Sequence, residues 1–338
     1  VKQISSGALY IPGTLFLAPL AGCSDRAFRD ICIEQGADFT FTEMVSAEGV
    51  VRGNSETVKL MHRADLEKLY AIQLFGSDPK TMHEASCKAL DYAPVLIDIN
   101  CGCPVPKVIK TGAGAALMKT PSLIGRLVTE VRKAIEKKEK VCSVSVKLRS
   151  GWDEKSITFR EAAHEAAAAG ASLITLHPRT KNQGYSGTAR WDYIGELKQR
   201  LVKVPVIGSG DLFRPEDAHR MLRTTGCDGI MFARGAVGNP FVFSQTKALL
   251  LEQGNEDLPA GPPSIKERLE TALRHLHKAR YYEGESTAVK EMKKQFCAYT
   301  KGLPGGAALR NLIVHAKTVD DYIRITDEYI SDIDFTSS

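Results

Sequence analysis

The chain has no apolar run approaching the ~20 residues needed to cross a bilayer. Its opening, VKQISSGALYIPG, lacks the apolar core of roughly 7–15 residues of a secretory signal. The eight cysteines (23, 32, 87, 101, 103, 142, 227 and 297) follow no disulfide-framework spacing, and Cys32, Cys142 and Cys227 sit inside apolar runs. Reduced thiols in a cytoplasmic protein are therefore expected. No G-x-G-x-x-G follows the first strand-like run, which counts against an open dinucleotide-binding sheet. No strong charge bias exists either: the net charge is +5 and the pI about 8.7. Only the location of that charge can say anything about partners. With 43% hydrophobic and 25% charged residues, disorder is expected only at the ends. A length of 338 residues suits a domain of roughly 240 residues plus a smaller one.

What is present is a succession of short apolar runs: TLFLAP (14–19), DFTFTE (38–43), LYAIQLFG (69–76), VLIDIN (95–100), CSVSVKLR (142–149), SLITLH (172–177), VPVIGSG (204–210) and DGIMFAR (228–234). Most read as parallel strands apolar on both faces. Helical patterns fill the gaps; SDRAFRDICIEQG offers Ser24 as N-cap and Gly36 as stop. Glycines 36, 170 and 226 each join a helix to the next strand, supplying left-handed C-caps. Eight βα units predict an α/β chain, a (β/α)8 TIM barrel over residues 1–245. Residues 246–338 read as a linker (LEQGNEDLPAGPPS, 251–264) followed by a C-terminal all-helical domain. From 266 to 317 that domain holds eleven Lys and Arg against five Asp and Glu, an excess of +6 (11 − 5). A solvated face and a polyanion-binding face both fit.

Function in such a barrel belongs at the strand ends. Gly208-Ser209-Gly210-Asp211 and Ala233-Arg234 resemble phosphate-binding loops, where backbone N–H groups and one guanidinium meet an anion. Alternation places Lys147 and Arg149 on one face of their strand. A lysine inside a barrel needs an anionic partner: it suits a Schiff base, or charge stabilisation of reduced flavin. Gln73 and His177 converge with Lys147 from different strands. Beyond Asn100 comes Cys101-Gly102-Cys103-Pro104. No second cysteine pair or nearby histidine completes a metal site, so no metal is expected. No adjacent base favours a nucleophile, whereas a protonated thiol can act as an acid. Glycines 112 and 114 would let the loop move over substrate. Lys107, Lys110, Lys119, Arg149, Arg179, Lys181, Arg190 and Arg214, with Tyr185, Trp152 and Trp191, give a basic, aromatic mouth suited to nucleic acid.

With these residues in view, the chain resembles the tRNA-dihydrouridine synthases, in particular the bacterial B-type branch. The resemblance is carried by LAPLAGCSDRAFR (17–29), EMVSAEGV (43–50), QLFGSDP (73–79), DINCGCPVPKVIKTGAGAALMK (98–119), VKLRSGWD (146–153), LHPRTKNQGYSGTARWDYI (176–194), GSGDL (208–212) and MFARGAVGNPF (231–241). It implies flavin-dependent reduction of the C5–C6 bond of a tRNA uridine, with NADPH as hydride source and Cys103 as the acid toward C5. FMN would be held by Pro19, Leu20, Ala21, Gln73, Lys147, His177, Gly208, Ser209, Gly210, Asp211, Ala233 and Arg234. Asn100, Lys107, Arg149, Arg179 and Lys181 would face substrate or RNA. The enzyme is expected to be a monomer. Three positions depart from the family pattern: Ser209 stands for the usual Asn, Ala233 for Gly, and Cys101 for a larger apolar residue. Ala233 must therefore avoid positive φ, and Cys101 raises the prospect of a mixed thiol state. The competing readings are an FMN barrel reductase of a free pyrimidine or small enone, and an RNA-binding protein that only retains the barrel.

Overall fold

The computed structural model describes residues 3–251 and 261–337, with the side chains of 334–337 left aside; most of the linker lies outside this range. A short hairpin, β1 (Ile4–Ser6) and β2 (Leu9–Ile11), precedes eight parallel strands: β3 (Leu15–Leu17), β4 (Phe39–Ser46), β5 (Tyr70–Phe75), β6 (Leu96–Cys101), β7 (Ser143–Gly151), β8 (Leu173–Thr180), β9 (Val206–Ser209) and β10 (Gly229–Phe232). They close in the order β10-β3-β4-β5-β6-β7-β8-β9. The eight apolar runs of the sequence are these eight strands.

The two-residue alternation of a strand divides the core into an inner and an outer shell. On β7, Val144, Val146 and Leu148 pack outward with the helices, while the odd-numbered residues point into the barrel. Inside, Phe16, Phe39, Phe41, Ala71, Leu96, Leu173, Ile207 and Met231 pack against Ile4, Leu9 and Ile11 of the hairpin. The hairpin thus closes the end where the strands start. Each fully buried Phe, Leu or Ile contributes about 1.5–3 kcal/mol. Polar side chains occupy the opposite, C-terminal end.

Helix Arg26–Glu34 shows why the first crossover forms. Its N-cap is Asp25, whose carboxylate accepts from Phe28 N–H. The expected cap, Ser24, instead bonds the backbone of Leu20 in both directions. Gly36 (φ +96°) makes the turn into β4. Arg29 is buried and spans to Glu67 at 2.7 Å, with further bonds to the carbonyls of Ser24 and His62. Glu67 also accepts from Ala64 N–H and the Thr40 hydroxyl.

Helix Val242–Leu251 still packs on the barrel helix Pro215–Thr225, so the 245 boundary falls inside a barrel element. Helices Ile265–Glu283, Glu285–Tyr299, Gly306–His315 and Val319–Ser337 form the tail. Their core of Leu269, Leu276, Met292, Phe296, Tyr299 and Tyr322 takes in Ala27 of the barrel. Part of the tail's basic excess is spent on docking: Lys278 pairs with Asp30 (3.3 Å) and Glu34 (3.0 Å). Tyr282 donates to Asp30 (2.7 Å), and Gln295 donates to the Cys23 carbonyl (3.0 Å). Gly238 packs directly on the tail, where a Cβ would lie 2.4 Å from the Ala298 carbonyl carbon.

Candidate active site

The C-terminal ends of the strands open into a cavity of about 600 Å³. Its walls carry Pro19, Leu20 and Ala21 after β3, Asn100 and Cys103 after β6, Lys147 and Arg149 of β7, His177 of β8, Ser209, Gly210 and Asp211 after β9, and Ala233 and Arg234 after β10. Strand register sets their order: Asn100 lies beside Lys147, and Arg149 beside His177.

The Cys103 turn is held at its backbone. Asn100 Oδ1 accepts from Gly102 N–H (3.1 Å) and Cys103 N–H (2.9 Å). Arg149 Nε donates to the Gly102 carbonyl (2.8 Å). The Cys103 carbonyl accepts from Ala115 N–H (3.0 Å). Gly114 has φ +62°, and a Cβ there would lie 2.7 Å from the Cys103 carbonyl oxygen. This glycine therefore serves close approach. Cys103 is 7% exposed, and burial pushes its thiol upward, with Arg149 and Lys147 pulling the other way. At neutral pH Sγ keeps its proton. Cys101 points to the opposite face, into the helix-packed core. That location removes it from any mixed thiol state with Cys103.

Lys147 forms no hydrogen bond or ion pair with the described residues. Burial, reinforced by Arg149, lowers it to about 8. Beside it in register, Thr175 Oγ1 is also buried without a partner. His177 is pushed well below its ordinary range by burial and by Lys147, Arg149, Arg179 and Arg234. It is therefore neutral. Arg179 Nη1 meets His177 Nε2 at 3.4 Å; a guanidinium only donates, so the imidazole proton sits on Nδ1. Gly210 (φ +108°) passes so close that a Cβ would lie 2.8 Å from His177 Cδ2.

Arg179, expected to face RNA, is instead 1% exposed. It donates to Ser186 O (3.2 Å), Gly187 O (2.6 Å) and Asp211 (2.7 Å), so it fastens the 184–189 loop to the β9 end. Arg149 reaches the same loop through Thr180 O (2.8 Å) and Gly184 O (2.9 Å). The loop carries Tyr185, which is 55% exposed and stacked by Arg234 at 4.2 Å. Gln73 is fully buried behind the cavity wall, between Asp98 and Asn100. Gly208 faces outward, where a Cβ would strike Met221 Sδ at 2.5 Å, so packing explains this glycine. Lys107 and Lys181 stand outside the cavity wall; Lys181 and Lys119 lie over the Trp152 ring at 4.7 and 3.5 Å. Ala233 has φ −123°, as a residue with a Cβ requires.

Sequence reading missed Cys23, Met44, Phe213, Lys294, Ala298 and Lys301, which also line the cavity. The last three come from the helical tail. Its basic excess was the only signal available, and nothing in the sequence shows which lysines face the barrel.

A family model described as Dihydrouridine synthase (Dus) matches residues 16–333. The chain belongs to the dihydrouridine synthase family. A probable tRNA-dihydrouridine synthase of Treponema pallidum (strain Nichols) is 46% identical over 326 residues, covering 95% of this chain and 94% of that protein. One from Aquifex aeolicus (strain VF5) is 37% identical, covering 94% and 96%. A tRNA-dihydrouridine synthase B of Xanthomonas axonopodis pv. citri (strain 306) is 32% identical, covering 96% and 94%. Among solved structures, histamine dehydrogenase from Rhizobium sp. 4-9 superposes with a TM-score of 0.53 at 16% identity, over 82% of this chain and 50% of that one. The amine oxidase HisD from Pseudomonas geniculata N1 gives 0.56 at 13%, over 74% and 49%. The chain thus spans about half the length of these two structures, and at such identities they share its barrel fold alone. Among the described residues of this dihydrouridine synthase family member, no helix is long and apolar enough to cross a membrane. Nor do any three His, Cys, Asp or Glu residues among them group to hold a metal.

Proposed function

We propose that this protein reduces the C5–C6 double bond of uridines in tRNA, with FMN as cofactor, NADPH as hydride source and Cys103 as the acid. One observation carries the reading: a buried, protonated thiol and a half-buried ammonium that makes no hydrogen bond or ion pair with the described residues line the same cavity. The relatives' names supply the substrate class.

The residues present fit FMN. The Lys147 ammonium lines the cavity without a hydrogen bond or ion pair to the described residues, which suits an anionic, hydrogen-bonding ring system there. Lys147 would hold the negative pole of the ring system, and His177 would donate from Nδ1. Ser209, Gly210, Asp211, Ala233 and Arg234 would seat the phosphate, with Pro19, Leu20 and Ala21 as the flat apolar wall. When bound, FMN supplies the hydride for C6. Cys103 holds the proton that C5 requires. The thiolate left behind faces Arg149 and Lys147, whose charges stabilise it until solvent returns the proton. Asn100 keeps the turn in place. Lys107, Lys181 and Lys119 with Trp152 would contact the RNA backbone at the rim.

The test is the visible spectrum of the purified protein, followed by NADPH oxidation with and without unmodified tRNA. A flavin spectrum whose reduced form is reoxidised by tRNA, yielding dihydrouridine, is expected. Turnover of free uracil without tRNA would transfer the activity to small molecules. Cys103→Ala should keep the flavin and lose about 10²–10⁴-fold in dihydrouridine formation. Full activity in that variant would remove the thiol from the chemistry.

A further inference from the structure

Asp98 is fully buried beneath the cavity. It does not line the cavity and makes no hydrogen bond to Lys147, although its charge lies near that ammonium. It shares one layer of the barrel interior with Gln73 of β5 and Ser145 of β7, its neighbours in strand register. Gln73 Nε2 donates to Asp98 Oδ2 (2.6 Å), and Ser145 Oγ donates to Asp98 Oδ1 (2.5 Å). Asn100 Nδ2 donates to Gln73 Oε1 (2.8 Å). Asn100 Oδ1 then accepts from the backbone N–H of Gly102 and of Cys103.

Every bond in this chain has a forced direction. Backbone N–H groups can only donate, so Asn100 must turn its oxygen toward the Cys103 turn and its nitrogen toward Gln73. Gln73 must then present its oxygen to Asn100 and its nitrogen to the next group. That group has to be an acceptor, and a carboxylate accepts at both oxygens. The two ends of the relay therefore demand the same amide orientations. A residue unable to accept at position 98 would leave the buried Gln73 amide unpaired and loosen the bond by which Gln73 holds Asn100.

We propose that Asp98 is a positioning residue for this reaction, fixing the turn that carries Cys103 through the relay Asp98–Gln73–Asn100. The role in turnover rests on the uridine-reductase reading above; the geometry it acts on does not.

The experiment compares Asp98→Asn with Asp98→Leu in the flavin-loaded enzyme. Both variants remove the charge near Lys147, so their difference isolates the relay. The Asn side chain accepts from Gln73 and donates to Ser145; Leu does neither. The first readout is alkylation of Cys103 by iodoacetamide, mapped by mass spectrometry to separate it from Cys23. The second is a pair of half-reactions: flavin reduction by NADPH, which does not use the thiol, and reoxidation by tRNA, which does. Relative to Asp98→Asn, Asp98→Leu should alkylate roughly tenfold faster and reoxidise roughly tenfold slower, with flavin reduction unchanged. Equal behaviour of the two variants, or a parallel fall in both half-reactions, would overturn the proposal. If Asp98→Leu does not fold, Gln73→Met interrupts the same relay, and unchanged Cys103 alkylation there would overturn it equally. A wild type that tRNA does not reoxidise defeats the functional reading, while the alkylation contrast still decides the relay.

Discussion

Replacing Lys147 by Met should raise the stability of the apoprotein and lower its affinity for flavin. The ammonium is half-buried on the cavity wall, makes no hydrogen bond or ion pair with the described residues, and is depressed to about 8. A depression of this size corresponds to about 3 kcal/mol against the charged form. Methionine matches the length of the lysine stem and needs no counter-charge. At pH 7 the variant apoprotein should gain about 2–3 kcal/mol, or roughly 3–4 °C in Tm for a chain of this length. The sign can be checked against pH. Between about 8 and the ordinary lysine range, the unfolded chain keeps a proton that the folded chain has lost. Wild-type stability therefore rises with pH across that window, and the advantage of the variant shrinks. Flavin binding should move the other way, losing about 10–100-fold as a charge-assisted contact disappears. Thermal melts of the apoprotein at pH 7 and pH 10, with a fluorescence titration of FMN, measure both. A variant less stable than wild type, or one that binds FMN equally well, would refute the reasoning.

Two further substitutions test the frame around the site. Gly238→Ala places a Cβ 2.4 Å from the Ala298 carbonyl carbon at φ +70°; because neither backbone can give way, the tail should undock, and limited proteolysis should cut it faster than in wild type. Arg29→Met strands the buried Glu67 carboxylate and should cost about 3–5 kcal/mol in a denaturant melt. Adding Glu67→Leu should recover most of that loss, and a single variant within about 1 kcal/mol of wild type would show the pair to be dispensable.

The barrel was legible because parallel strands buried on both faces read as apolar runs, and all eight were such runs. The hairpin β1–β2 was not, since two strands of three residues carry no periodicity. Ser24 was the expected cap, but the backbone of Leu20 engages its hydroxyl and Asp25 caps the helix instead. Within the site, thirteen expected residues line the cavity because strand ends converge by topology. Arg179 went astray for a physical reason. A sequence shows a charge but not the carbonyls of Ser186 and Gly187 and the Asp211 carboxylate gathering around it. Gly208 and Gly210 look alike in sequence, yet one faces helices and the other faces His177. The tail's lysines were visible only as bulk charge.

That the tail completes the cavity wall bears on how the protein is made. The last barrel strand ends at Phe232, while the cavity reaches Lys301, a gap of 69 residues (301 − 232). A ribosome adding about 5–20 residues per second needs roughly 3–14 s to cover it. Through that interval the nascent barrel can close its strands, yet Ala27 and Phe28 still await their cover and one wall of the cavity is missing. The chain therefore emerges as a scaffold first and gains a finished pocket only when the second tail helix and its exit turn have left the tunnel.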